Sequence, residues 1–154
     1  MTTPQHHPHD TEAALERQID NALAKDSAVV RILKAAWPDL LAAYAFGSRI
    51  KSTANPGSDL DLAVLVPAYA PPLQLWELAS QLAEVVGCPV DLLDLRAAST
   101  VMQYQVLTQG TRLFARGPGV GLFECFVLSE KTALDAARAG LLGDIARQGT
   151  VYGR

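Results

Sequence analysis

Hydrophobic positions along the chain follow two rhythms, one helical and one extended. From Thr11 to Ala24, the apolar residues Ala14, Leu15, Ile19, Ala22 and Leu23 recur at helical spacing. A second helix is predicted from the capping pair Asp26–Ser27, with Val29, Val30, Ile32, Leu33, Ala36 and Trp37 on one broad face. Pro38 stops it. The apolar run Leu40–Phe46, ending at Gly47, predicts a buried strand, and Leu60–Val66, closed by Pro67, predicts a second. Tyr69–Pro72 forms a turn whose last proline suits the first position of a third helix. That helix runs to about Val86, with Gly87 as its cap. Pro89–Leu95 is a third strand, Ser99 caps a helix ending at Gly110, and Thr111–Ala115 is a short strand. Beyond a glycine-rich break at Gly117–Gly121, a long amphipathic helix carries Phe123, Phe126, Val127, Leu134, Ala137, Leu141 and Ile145, with both phenylalanines read as core.

This order of elements predicts an α/β (α+β) domain, a small mixed β-sheet of three to four strands packed against helices. The domain is expected over residues 11–154, preceded by a disordered tail over residues 1–10 that holds two prolines and all three histidines, His6, His7 and His9. The folded part would then have no imidazole for acid–base work.

Composition narrows the function classes. A chain of 154 residues fits one domain and needs no disulfide or metal to build its core. Its longest apolar run, Leu40–Phe46, is far short of the roughly 20 residues that span a bilayer. The start of the chain lacks the cationic and then apolar pattern of a secretory signal, so a cytoplasmic protein away from membranes is expected. Thirteen basic against sixteen acidic residues give a net charge of −3. With no cluster of Lys or Arg, binding to long nucleic acids is not expected. Cys88 and Cys125 lack metal-ligand spacing and read as reduced, buried thiols.

Chemistry concentrates between Phe46 and Val64. A buried strand ends in the Gly47-Ser48 turn, and ten residues later a strand opens with Asp59-Leu60-Asp61. Strand side chains alternate, so Leu60 and Leu62 enter the core while Asp59 and Asp61 share the other face, ~7 Å apart. Two carboxylates so placed repel each other unless a cation lies between them, and their hard oxygens suit Mg²⁺ shared with substrate phosphates. Gly47 lets the backbone approach a phosphate, the Ser48 hydroxyl can donate to it, and Arg49 and Lys51 add positive charge. Neither a GxGxxG fingerprint nor a GK[ST] loop is present, so dinucleotide-fold and Walker-type phosphate binding are not favoured. The third strand offers Asp91 and Asp94, which face opposite sides in a regular strand. Only one of them can join the first two carboxylates. Asp91, within the strand, is explained by a catalytic cation, whereas Asp94, near its end, can cap the turn that follows.

Gly47-Ser48, ten residues and Asp59-Leu60-Asp61 resemble the GS-x10-DxD signature of the DNA polymerase β-like nucleotidyltransferases. The short chain resembles the minimal (MNT) members of that superfamily, and Val90–Leu95 resembles their third-carboxylate strand. The stretch Gly143–Gly153 is similar to the ending of MntA-type antitoxins, which pair with a HEPN-domain ribonuclease toxin. The resemblance covers about residues 30–153, and it departs at Ser52, where the superfamily often has Gly. It implies AMP transfer from ATP with two Mg²⁺ ions on Asp59 and Asp61, Asp91 completing the metal set and orienting or deprotonating the acceptor hydroxyl. Gly47 and Ser48 would hold the departing phosphates, with Arg49 and Ser58 also counted as nucleotide-binding. The acceptor implied is a tyrosine hydroxyl of the HEPN toxin, with pyrophosphate released. Two other readings stand beside it: a nucleotidyltransferase acting on a small-molecule acceptor, and a non-catalytic antitoxin that works by direct binding.

Overall fold

The structure is a computed structural model that describes residues 8–24, 26–51 and 57–148. In chain order its elements are helices α1 (Pro8–Leu23) and α2 (Ala28–Ala36), strands β1 (Ala42–Phe46) and β2 (Leu60–Leu65), helix α3 (Pro72–Val86), strand β3 (Val90–Asp94), helix α4 (Thr100–Gln109), strand β4 (Thr111–Ala115) and helix α5 (Pro118–Gln148). The four strands form one mixed sheet in the order β3-β2-β1-β4. Strand β1 runs antiparallel to both β2 and β4, while β2 and β3 are parallel. A parallel pair cannot be joined by a tight turn, and α3 supplies the crossover.

Helices cover both faces of the sheet. On one side, Ile19 and Ala22 of α1, Val29 and Leu33 of α2, and Leu78, Leu82 and Val86 of α3 pack on Ala43, Ala45, Leu60, Leu62, Val64 and Leu92. On the other, Val106 of α4 and Val120, Phe123 and Val127 of α5 pack on Ala42, Tyr44, Ala63 and Leu65. In β2 the alternation Leu60, Leu62, Val64 against Asp61, Ala63, Leu65 thus serves two cores, and the second face turns polar only at the end where Asp61 lies. Helix α5 is fastened to the sheet by polar contacts as well. The Tyr44 hydroxyl donates to Glu124 Oε1 at 2.8 Å, and Arg112 Nη1 meets the same oxygen at 3.3 Å.

Turn chemistry sets the element ends. Gly87 closes α3 with φ of 87°, the left-handed conformation that favours glycine. The Ser99 hydroxyl accepts the Met102 N–H at the start of α4. Ser27 does occupy the N-cap of α2, but its side chain makes no capping bond and its hydroxyl is buried without a partner.

Four expectations are corrected. Helix α1 begins at Pro8, inside the expected tail, so His9 is helical and exposed; His6 and His7 lie outside the described residues. The glycine-rich segment is not a break throughout, since α5 starts at Pro118 directly after Gly117. Phe126 is 57% exposed while Phe123 is buried, because Val120, Phe123 and Val127 make the single stripe that faces the sheet. Cys88 is buried as expected, but Cys125, on the outer side of α5, is exposed. No described helix is long and apolar enough to cross a membrane.

Candidate active site

The site lies where β1 ends and β2 begins. Antiparallel register sets Phe46 opposite Asp61, so the Gly47-Ser48 turn emerges beside that carboxylate. Gly47 has φ of +82°, and its carbonyl accepts the N–H groups of Ile50 and Lys51, each at 3.2 Å, which coils the chain after the strand. A side chain at Gly47 would collide with Asp61 Oδ2, with Asp61 Cγ at 3.0 Å and Cβ at 3.3 Å from the added carbon. Only a glycine lets the turn lie against the carboxylate in this way.

Parallel register then pairs Asp61 with Asp91, placing both on one face of the sheet. Asp59 lies two residues before Asp61, where β2 is about to begin. Asp61 is half-buried, whereas Asp59 and Asp91 are exposed. Burial, followed by the nearby charges of Asp91 and Asp59, pushes the Asp61 carboxyl above the usual carboxylate range. Three carboxylates on one rim therefore repel each other, and Asp61 carries the strain of that arrangement.

Asp94 is not with them. It pairs in register with Val64, is buried, and accepts the Ala70 N–H through Oδ2 at 2.9 Å and the Arg96 N–H through Oδ1 at 3.0 Å. Arg96 adds bonds to the Val66 and Ala68 carbonyls, so the pair closes the end of the sheet away from Gly47. This is the turn-capping role. Asp94→Ala strands two backbone donors and is expected to cost about 1–3 kcal/mol of stability, read as a lowered urea midpoint.

Arg49, counted among the nucleotide-binding residues, has a buried side chain in the structure. Its Nε donates to the Ser58 carbonyl at 3.1 Å and its Nη1 to Glu12 Oε1 of α1 at 3.0 Å. Nothing in the sequence signals this contact, because Glu12 stands 37 positions upstream in a helix with no motif. Ser48 and Ser58 are both half-buried at the two ends of the β1–β2 connection. Ser52, the departure from the signature, and the segment Gly149–Gly153 lie outside the described residues. Tyr104 is part of the α4–α5 packing, with Lys131 Nζ 4.9 Å from its ring centre, and Tyr152 lies outside the described residues.

Residues 27–118 match the polymerase beta nucleotidyltransferase family, and the chain belongs to it. Among its relatives is the protein adenylyltransferase MntA of Shewanella oneidensis, 36% identical over 120 residues, which cover 78% of this chain and 86% of MntA. Solved structures that share the fold include two toxin-antitoxin structures. One is a toxin-antitoxin crystallised with AMP-PNP, with a TM-score of 0.67 and 36% identity over 77% of this chain and 95% of that one. The other is the MNT antitoxin in complex with the tri-AMPylated HEPN toxin of Shewanella oneidensis, with a TM-score of 0.63 and 31% identity over 88% of this chain and 98% of that one.

Proposed function

We propose that this chain is the antitoxin of a HEPN/MNT pair and acts as a protein adenylyltransferase, moving AMP from Mg-ATP to a tyrosine hydroxyl of its partner toxin. One observation carries the reading: Asp61 and Asp91 share a register position and a face, two residues from Asp59 and against the Gly47-Ser48 turn. The relatives support it, since one bears the name protein adenylyltransferase and others were crystallised with AMP-PNP or an AMPylated HEPN toxin.

The donor set suits Mg²⁺. Asp59, Asp61 and Asp91 offer only hard oxygen ligands, and a cation would offset the burial and the carboxylate repulsion that raise Asp61. Among the described residues, no three Asp, Glu, His or Cys side chains are gathered as a ready-made metal cage, so ATP phosphate oxygens would complete the ligand shell. When bound, two Mg²⁺ ions would offset charge on the attacking and leaving oxygens. The remaining roles belong to the chain itself. Gly47 and Ser48 hold the phosphates that leave as pyrophosphate, with Ser58 at the opposite end of the connection. Asp91, exposed on the rim, orients the acceptor hydroxyl and takes its proton as that oxygen bonds to the α-phosphorus. Pyrophosphate leaves from the opposite side. This reading implies a cytoplasmic location, where ATP and the ribonuclease partner would be met.

A second protein is needed to bring the acceptor, and the surface has room for it. Leu122, Phe126, Leu141 and Leu142 of α5 are all exposed, as are Tyr69, Leu73 and Trp76 around the start of α3. With Mg-ATP, the chain is expected to modify the HEPN product of a neighbouring gene. Replacing the acceptor tyrosine of that product with phenylalanine should abolish the modification. Undiminished labelling after every tyrosine of the partner has been replaced would rule out tyrosine as the acceptor.

A further inference from the structure

Arg49 and Glu12 stand outside the carboxylate rim, yet they join the pieces that compose it. The Arg49 side chain is only 3% exposed, and that of Glu12 30%. Arg49 directly follows the Gly47-Ser48 turn, its acceptor Ser58 directly precedes Asp59, and Glu12 belongs to α1. We propose that Arg49 is a positioning residue which, anchored by Glu12, clamps the entry of β2 to the exit of β1 and so holds Asp59 and Asp61 against the phosphate-binding turn. The inference rests on the nucleotidyltransferase reading of that turn.

The chemistry of the side chains supports the clamp. A guanidinium is a rigid planar fork that can serve two acceptors in different directions, whereas a lysine ammonium is a single flexible point of charge. A cation this buried is stabilised by a neighbouring carboxylate, and Glu12 supplies one. The anchor has a second consequence. Helix α1 lies ahead of residues 27–118, the segment that matches the family, so the site is braced from outside that segment.

Glu12→Gln and Arg49→Lys test the clamp by amide hydrogen exchange and by binding of Mg-AMP-PNP. Both variants are expected to speed exchange at Ile50 and Lys51, whose N–H groups bond the Gly47 carbonyl, while Val64 and Leu82 in the core keep their protection. Both should weaken binding of the analogue by about tenfold, the scale of a small misplacement of reacting groups. In steady state, KM for ATP should rise more than kcat falls. Wild-type exchange and affinity in both variants would overturn the clamp. So would faster exchange throughout the domain, the mark of plain destabilisation. The exchange measurement needs no nucleotide, so a wild-type chain that transfers no AMP would count against the proposed reaction and not against the clamp.

Discussion

Asp61→Ala is expected to reduce AMP transfer by about 10²–10³-fold, the scale on which loss of one electrostatic catalytic group acts. Asp61 faces Asp91 across the parallel pair and touches the Gly47 turn, so its loss removes the centre of the carboxylate rim. A merely misfolded variant would give the same assay result, and stability separates the two cases. Burial and two neighbouring carboxylates disfavour the Asp61 charge, so the metal-free protein is held back by it. Partial exposure limits that cost through solvent screening. Asp61→Asn should therefore melt above wild type without metal. A variant that is inactive and more stable fits a group kept for catalysis. One that is inactive and less stable would point to a structural role instead.

Gly47→Ala should be nearly as damaging, and for a different reason. Its φ of +82° is left-handed, which costs an L-residue about 1–2 kcal/mol. The added carbon would also overlap Asp61 Oδ2, so the carboxylate must rotate away from the rim or the turn must lift off it. Either movement separates the Gly47-Ser48 turn from the carboxylates, and transfer is expected to fall about 10²-fold. Gly119→Ala is the matched control, because a side chain added there meets nothing within 4 Å inside a helix. It should leave activity at the wild-type level. An active Gly47→Ala protein would show that the close contact between turn and carboxylate does no catalytic service.

Much of this arrangement is legible in the chain. Local signals place the ends of elements well: Pro72 and Gly87 bracket α3, Ser99 caps α4, and Thr111–Ala115 is a strand with the expected bounds. Alternation in Leu60-Asp61-Leu62 is enough to put the carboxylate and the leucines on opposite faces. The choice between Asp91 and Asp94 is not settled by alternation alone. It depends on the register of a parallel pair, which the crossover through α3 fixes and which no local pattern records. The Arg49–Glu12 contact is hidden for a related reason, since two residues 37 positions apart meet only after α1 packs.

Helix α5 shows a different limit. Its 31 residues extend about 46 Å, while a five-residue strand spans about 17 Å. Only Val120, Phe123 and Val127 are buried on this helix, and Leu141 and Leu142 stay exposed although the apolar spacing continues. Periodicity reports which face of a helix is apolar. It does not report whether the same chain supplies something to cover that face.

The most direct test of AMP transfer to the partner is to incubate the purified chain and its HEPN partner with Mg-ATP labelled at either the α- or the γ-phosphate. The expected result is label on a partner tyrosine from α-labelled ATP, none from γ-labelled ATP, and none from either with Asp61→Ala. Absence of α-label from the partner, with wild-type and Asp61→Ala chains neutralising the toxin equally well, would contradict the reaction and leave direct binding as the means of neutralisation.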